Sequence, residues 1–191
     1  AWFERGVVVD DEGFAWGDRP TALRPPIEAT AFEPGTVTEI HPQAEAFVRT
    51  LAERLQRGAA FFLDYGFPEH EYYHPQRVQG TLMCHRAHRV DSDPLADVGL
   101  KDITAHVNFS GVALAGQAAG LDVLGYTSQA RFLLNCGLPA LLLEADARTR
   151  ADAQKLIHEH EMGELFKVIG FARGMAFEAL GFQAGDRSHT L

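Results

Sequence analysis

The stretch "AAFFLDYG", residues 59–66, decides the fold class of this chain. It is an apolar run that closes on the turn-forming Asp64, a pattern typical of a short strand buried on both faces of a sheet. Immediately upstream, apolar residues recur at helical spacing over residues 42–57, with Pro42 suited to a first helical turn and Gly58 to a stop. Because a helix that leads into a buried strand is the repeating unit of α/β sheets, the sequence predicts the α/β class.

The flanking sequence extends this alternation in both directions. Residues 2–16 predict a hairpin, since two apolar runs flank the turn-forming cluster Asp10-Asp11-Glu12-Gly13, and four prolines mark residues 19–35 as a connector. Downstream, the pattern predicts a strand over 80–85, a helix over 109–119, a strand over 122–128, helices within 128–160 broken at Gly137 and Pro139, and a strand over 164–174. This order is expected of the tail of a mixed α/β domain.

Composition restricts the classes of partner. A chain of 191 residues with 46% hydrophobic residues can bury one sizeable core, so one domain is expected. Its net charge of −9 disfavours nucleic acid and anionic membranes as partners, and no apolar run is long enough to span a bilayer. Cys84 and Cys136 form no zinc framework and are expected to be buried thiols in a reducing cytosol. The chain opens on Ala1 and enters a strand-like run at once, so we expect it to be part of something longer.

The segment "HEYYH", residues 70–74, matches the H-E-x-x-H signature of zinc peptidases. That motif needs a helix that places both histidines on one face, and Pro68 and Pro75 make such a helix poor. The third ligand that zinc requires is also not placed, because no histidine or glutamate occurs at the expected spacing. We therefore predict a polar and aromatic loop and no metal.

Other short motifs fail similar tests. No two glycines stand two apart, which excludes the dinucleotide fingerprint, and "GVALAGQ", residues 111–117, lacks the lysine of a phosphate-binding loop and is better interpreted as a helix face of small residues. Adjacent residues of a helix point in different directions, so "HEHE", residues 158–161, indicates a solvated charged face. The chain thus offers no glycine-rich cradle for a cofactor.

Two polar segments keep alternative interpretations. Asp64-Tyr65-Gly66 ends the apolar strand, where open α/β sheets bind ligands, but the same residues also suit a turn. "KDITAHVNFSG", residues 101–111, would line up five polar side chains if extended and could contact a substrate; alternatively, Asn108 or Ser110 caps the helix that follows. For residues 101–111, the two interpretations are compatible with each other.

Longer segments resemble one known family. They are "LDYGFPEHEYYHPQRVQGTLMCHRAHR" (residues 63–89), "DPLADVGLKDITAHVNFS" (residues 93–110), "GYTSQARFLLNCG" (residues 125–137) and "MGELFKVIGFARG" (residues 162–174). In this order they resemble the carboxyl-terminal half of the MidA-like family of S-adenosylmethionine-dependent methyltransferases, which includes the mitochondrial complex I assembly arginine methyltransferase. The "HEYYHP" segment is then the family's "EYYHP" loop with a histidine before it.

The resemblance implies a fold and a domain assignment. Residues 1–191 would be the carboxyl-terminal half of one methyltransferase domain, with a hairpin and connector over 1–35 and the last strands and helices over 36–191. Those strands would be the fifth, sixth and antiparallel seventh of the seven-stranded class I (Rossmann-like) methyltransferase sheet, with the β-hairpin as an addition. The cofactor-binding motifs of the family would lie upstream, so we expect no complete cofactor site here.

The resemblance also implies a function. It predicts an S-adenosylmethionine-dependent methyltransferase, without metal, that acts on a protein acceptor through an arginine side chain. Carboxylates and aromatic faces suit a guanidinium, and a proton acceptor suits methyl transfer. We therefore predict catalytic roles for Asp64 and His106, and substrate binding by the following residues: Tyr65, Tyr72, Tyr73, Arg77, Asp102 and Thr104.

The fragment alone is expected to be inactive. The alternative is a non-catalytic interaction module or a proteolytic remnant of the enzyme. The apolar surface that such a remnant exposes would favour association, so a homo-oligomer is one of the expected partners. The resemblance implies a bacterial cytoplasmic protein, or a protein of the mitochondrial matrix if the source is eukaryotic.

Overall fold

The computed structural model describes residues 1–11, 13–87 and 89–191. The strands in this part of the chain are β1 (Phe3–Asp10), β2 (Gly13–Pro20), β3 (Gly58–Phe67), β4 (Met83–Arg86), β5 (Arg89–Asp91), β6 (Asp102–Thr104), β7 (Val107–Asn108), β8 (Asp122–Ser128) and β9 (Phe166–Arg173). The α-helices are α1 (Pro42–Arg54), α2 (Glu69–Tyr72), α3 (Phe109–Ala118), α4 (Gln129–Asn135), α5 (Leu138–Leu142) and α6 (Ala147–Ile157). None of the described helices is long and apolar enough to cross a membrane. The mixed α/β class predicted from the sequence is confirmed.

The described residues divide into two compact units. Unit 1 comprises residues 1–40 and 73–105, and unit 2 comprises residues 41–72 and 106–191. The assignment of the whole chain to one methyltransferase domain stays a prediction.

Unit 1 is built from antiparallel strands. The predicted hairpin is confirmed as β1 paired with β2 from Phe3 opposite Pro20 to Asp10 opposite Gly13, although Glu12 of the predicted turn lies outside the described residues. The predicted strand over 80–85 corresponds to β4, which is the central strand of a three-stranded sheet in the order β5-β4-β6. The predicted polar row over 101–111 is not one strand, because residues 105 and 106 separate β6 from β7.

Unit 2 contains a four-stranded sheet in the order β7-β3-β9-β8. The long strand β9 runs antiparallel to both β3 and β8, so β3 and β8 are parallel to each other. The short strand β7 pairs in parallel with the last two residues of β3, Gly66 and Phe67. The carboxyl ends of β3, β7 and β8 therefore lie at one edge of the sheet.

Short polar side chains begin three of the helices of unit 2. The side chains of Asn108, Ser128 and Asp146 accept hydrogen bonds from backbone N–H groups in the first turns of α3, α4 and α6. Such caps satisfy donors that have no partner inside a helix. The predicted helix break at Gly137 is confirmed, and this residue adopts a φ of +89° before α5. The predicted break at Pro139 is wrong, because Pro139 lies in the first turn of α5, where the missing N–H of proline is tolerated.

The core of unit 2 lies between the sheet and helices α1 and α3. Its buried residues come from both helices, from strands β8 and β9 and from the residue just before β8: Val48, Ala52, Phe109, Val112, Ala113, Leu121, Tyr126, Ile169 and Phe171. Strand β9 is buried along most of its length, as expected for a central strand.

Two burial predictions are wrong. Strand β3 is not buried on both faces, because its alternate residues Phe61, Leu63 and Tyr65 are 40%, 46% and 37% exposed. On that face, the rings of Phe132 in α4 and of Phe182 lie 5.9 and 6.3 Å from the ring of Phe61. Cys84 is buried as predicted, but Cys136 is exposed because it ends α4 just before the turn at Gly137.

Candidate functional site

The carboxyl end of β3 holds the first predicted site residue. Asp64 is exposed, and its Oδ1 accepts a hydrogen bond of 2.8 Å from the backbone N–H of Tyr65. Successive side chains of a strand point to opposite faces of the sheet, so the side chains of Asp64 and Tyr65 lie on different faces. Asp64 lies directly opposite Lys167 of β9. The carboxylate is therefore available to solvent on the face that also carries Lys167.

Tyr65 and His106 come together on the other face of β3. Their rings lie 6.0 Å apart, and the ring of His106 stacks on that of Phe67 at 5.0 Å and 19°. Phe166 of β9 extends the cluster, with its ring 4.0 Å from that of Tyr65. Phe67 and Phe166 were missed from the sequence, although the alternation of a strand puts Phe67 on the face of Tyr65. We call Tyr65, Phe67, His106 and Phe166 the aromatic cluster.

Gly66 allows His106 to reach this cluster. Strand β7, which follows His106 directly, pairs with β3 at Gly66. A Cβ atom at Gly66 would collide with the carbonyl oxygen of Val107 and with the ring of Phe109. Because only glycine fits this close approach, Gly66 fixes the path of the segment that carries His106.

Asn108 and Ser110 fasten the two helices that begin at this edge. Asn108 Oδ1 accepts from the N–H of Gly111 at 3.2 Å, which confirms its predicted role as a helix cap. The Ser110 hydroxyl accepts from the N–H of Glu69 at 2.9 Å, at the start of α2. Both side chains are buried, so they hold the scaffold of the edge.

Tyr72 is fully buried in unit 2, with 0% exposure. Its hydroxyl and His41 Nε2 form a hydrogen bond of 2.8 Å, which joins α2 to the residue before α1. The predicted aromatic wall at Tyr72 is thus part of the interior of unit 2 in this structure.

A charged network that the sequence did not reveal lies at the start of β9. The Lys167 side chain is 8% exposed; its Nζ donates to the backbone carbonyl of Glu164 and lies 3.3 Å from Glu164 Oε1. Arg187 Nη1 donates to the same Oε1 at 2.7 Å. Burial alone would raise the pKa of Glu164, but the hydrogen bond from Arg187 and the positive charges of Lys167 and Arg187 lower it below its ordinary value. Glu164 and Lys167 belong to the segment "MGELFKVIGFARG", which carries part of the family resemblance. That resemblance was the sequence signal that could have pointed to this network.

The remaining predicted residues lie in unit 1. Tyr73 is buried and its hydroxyl donates to the backbone carbonyl of Glu39 at 3.2 Å. Asp102 and Thr104 belong to β6, where Asp102 is exposed and the Thr104 hydroxyl donates to the carbonyl of Met83 at 3.3 Å.

Arg77 lies in the turn after the tyrosine pair. Its backbone N–H donates to the carbonyl of His74 at 2.8 Å. The binding roles predicted for the unit 1 residues stay predictions.

The histidines of the "HEYYH" segment do not share a helix. Helix α2 ends at Tyr72, before His74, and His70 Nε2 lies 3.8 Å from a carboxylate oxygen of its neighbour Glu71. In residues 1–11, 13–87 and 89–191, no group of three or more His, Cys, Asp or Glu side chains is arranged to hold a metal ion.

The parallel strands β3 and β8 lie on either side of the antiparallel strand β9, and polar residues follow their carboxyl ends, which is where open α/β sheets bind ligands. The model of the family described as "Putative S-adenosyl-L-methionine-dependent methyltransferase" matches residues 1–127. The chain belongs to this family of S-adenosylmethionine-dependent methyltransferases.

Two solved structures from Burkholderia thailandensis are similar over 100% of this chain. One is described as a "likely methyl transferase" bound to S-adenosyl-homocysteine, is 56% identical and superimposes with a TM-score of 0.89. The other is an uncharacterized protein of the same superfamily, 54% identical, with a TM-score of 0.90. The chain spans 52% and 54% of their lengths, about half of each. A comparison with curated proteins gave no match.

Proposed function

We propose that this chain is the carboxyl-terminal half of a MidA-like S-adenosylmethionine-dependent methyltransferase domain, whose other half holds the cofactor. The observation that carries this proposal is the strand pairing along the side of β3 that faces away from β9. Over residues 58–65, β3 pairs with β9 along one edge. On the opposite edge, its described partner is β7, which pairs only with residues 66 and 67. A long apolar strand with an open edge recruits another strand.

The strand order supports the same proposal. If β3, β8 and β9 are the fifth, sixth and seventh strands of a class I methyltransferase sheet, the antiparallel seventh strand belongs between the other two, as β9 does here. The fourth strand of that sheet would then pair with the open edge of β3. Phe61 and Leu63, 40% and 46% exposed, offer apolar surface beside that edge for the missing part to cover.

S-adenosylmethionine is the proposed cofactor, in line with the relative that binds S-adenosyl-homocysteine. Such a cofactor supplies an activated methyl group, and the resemblance to the MidA-like family implies that a glycine-rich loop holds it. The turns after β3, β7 and β8, at Pro68, Asn108 and Ser128, contain no glycine. The described residues therefore do not fit the cofactor by themselves, and its site is assigned to the other half.

This chain would supply the acceptor side of the reaction. The proposed acceptor is a protein side chain, an arginine by resemblance to the mitochondrial member. Asp64 is an exposed carboxylate suited to a guanidinium, and Tyr65, on the opposite face of β3, offers an aromatic ring as a separate contact at the same strand end. His106 lies beside Tyr65, on the face of β3 opposite Asp64, and its proposed role is to accept the proton that an acceptor nitrogen bound on that face loses. Alignment of acceptor and methyl group then does most of the catalysis.

Asp64→Asn in the full-length polypeptide tests this proposal. The substitution keeps size but removes the charge, and a lost charged contact costs about 1.5–3 kcal/mol, or roughly ten- to a hundredfold in methyl transfer. Affinity for S-adenosylmethionine should be unchanged. Asp122→Asn, on an exposed carboxylate at the amino end of β8, is the matched control and should keep full turnover.

The assay follows radiolabelled methyl transfer from S-adenosylmethionine to protein in an extract of cells that lack the enzyme. If Asp64→Asn keeps full turnover but has a lower melting temperature, Asp64 does not belong to the site and acts only in the structure of the turn. Absence of methylated protein with the wild-type polypeptide would overturn the protein acceptor.

A further inference from the structure

Asp64 and Lys167 are opposite charges on neighbouring strands that do not form an ion pair. The register of β3 and β9 places them directly opposite each other, so their side chains leave the same face of the sheet. Opposite charges in this position ordinarily attract each other. In the described part of the chain, however, the Asp64 carboxylate makes no ion pair and accepts one hydrogen bond, from the N–H of Tyr65. Another interaction must therefore hold the lysine away from Asp64.

Glu164 is the residue that holds Lys167. The lysine Nζ donates to the backbone carbonyl of Glu164 and lies 3.3 Å from its side-chain Oε1. Both contacts come from one residue, which precedes the lysine by three positions in the chain. The Lys167 side chain is only 8% exposed, so its charge is directed into this contact and not into solvent.

Arg187 fixes the carboxylate that holds the lysine. Its Nη1 donates to Glu164 Oε1 at 2.7 Å and its Nη2 to Oε2 at 3.5 Å, so the guanidinium contacts both oxygens. Burial alone would raise the pKa of Glu164, but the bond to Arg187 and the positive charges of Lys167 and Arg187 lower it. Glu164 is thus a charged and oriented acceptor at neutral pH.

The position of Lys167 decides whether Asp64 can bind another cation. An ammonium group that turned to Asp64 would occupy the oxygens that a guanidinium needs for a bidentate contact. We propose that Glu164 is a positioning residue for the acceptor: it holds Lys167 and so keeps the Asp64 carboxylate available to a cationic side chain of the substrate. This role rests on the proposed function, because it requires Asp64 to bind the acceptor. All four charged residues belong to unit 2.

Crystal structures of the full-length polypeptide test the contact independently of activity. In Glu164→Ala, Lys167 Nζ should lie within about 4 Å of an Asp64 carboxylate oxygen, the distance of an ion pair, whereas in the wild type it should not. Glu164→Gln keeps the size of the side chain and removes its charge, so it should move the lysine in the same direction even if Glu164→Ala does not fold. Arg187→Leu is the matched control, since it removes an ion pair of Glu164 but leaves Lys167 in contact with Glu164.

Methyl transfer to protein of a cell extract provides the second readout. In Glu164→Ala, the extract concentration that gives half of the maximal rate should rise about two- to fivefold, because an exposed ion pair competes by roughly that factor. The maximal rate per folded molecule should stay unchanged, as expected when only binding is weakened. The double variant Glu164→Ala/Lys167→Met has no lysine to compete and should regain the wild-type half-saturating concentration. A residue that only stabilised the fold would give neither this separation nor the rescue.

Three results would contradict the positioning role. They are a Lys167 that stays away from Asp64 in both Glu164 variants, a wild-type Asp64 that already pairs with a cation from the other half of the polypeptide, and an unchanged half-saturating concentration in Glu164→Ala. Absence of methylated protein with the wild type would instead overturn the proposed acceptor. The crystal structures distinguish these failures, because the position of the lysine is observed without methyl transfer.

Discussion

Gly66→Ala tests how the structure builds the predicted site. The new Cβ would collide with the backbone carbonyl of Val107 and would lie 2.6 and 2.8 Å from two atoms of the Phe109 ring. Phe109 is 1% exposed in the core, so its ring has little space to move, and the carbonyl belongs to the paired strand β7. Overpacking against such neighbours should cost about 3 kcal/mol. For a chain of this size, that lowers the melting temperature by about 6–12 °C.

Gly6→Ala is the matched control, because Gly6 also lies in a strand and an added Cβ would meet only the carbonyl oxygen of Gly17, at 3.6 Å. Its melting temperature should stay within about 3 °C of the wild type, since a glycine-to-alanine change without strain is neutral or mildly stabilising. Calorimetry of both variants measures the difference. Equal melting temperatures for Gly66→Ala and wild type would refute the close approach of β7, and with it the placement of His106 beside Tyr65.

Three further substitutions test separate parts of the structure. Tyr72→Phe removes the hydrogen bond to His41 inside unit 2 and should lower the free energy of unfolding by about 1–2 kcal/mol; no change in a urea titration would contradict the bond. Glu164 has a lowered pKa, so its ion pairs stabilise the fold above its ordinary pKa and this stability is lost as pH falls through the lowered value. Glu164→Gln should therefore be less stable than the wild type at pH 7 and equal to it once acid has protonated Glu164, whereas a deficit that does not shrink as the pH is lowered would rule out the charge as its cause. In the wild type, the backbone N–H groups of residues 81 and 82 donate to the Glu39 carboxylate at 2.8 and 3.0 Å, and Glu39→Ala removes this acceptor. The free energy of unfolding of unit 1 should fall by about 2–3 kcal/mol. Wild-type protection of those two amides in hydrogen exchange would contradict this prediction.

Local patterns predicted most of the elements of unit 2. Strand β8 has the predicted bounds, and α3 differs by one residue, because each is set by neighbouring residues: a run of seven for the strand, and a cap followed by a small-residue face for the helix. Helix α1 ends at Arg54, three residues before its predicted last residue, 57, because Leu55 already leaves the helical backbone.

Features that depend on distant residues were not predictable in this way. The exposure of Leu63 follows from what packs on β3, which the apolar run itself does not encode. The charged network needs Arg187 beside Glu164, and only tertiary structure brings these residues together. The same holds for the aromatic cluster, where the sequence indicated Tyr65 and His106 by residue type but not Phe166 from β9.

The central claim is that this chain holds the acceptor side of a methyltransferase and that the cofactor site is completed by the other half of the domain. Calorimetric titration with S-adenosyl-homocysteine tests it most directly, on the 191-residue chain and on the polypeptide with the full length of the solved relatives. We expect binding in the micromolar range by the full-length polypeptide and no measurable heat with the 191-residue chain. Equal affinity of both would place the cofactor site within these residues, and absence of binding by the full-length polypeptide would contradict the methyltransferase assignment itself.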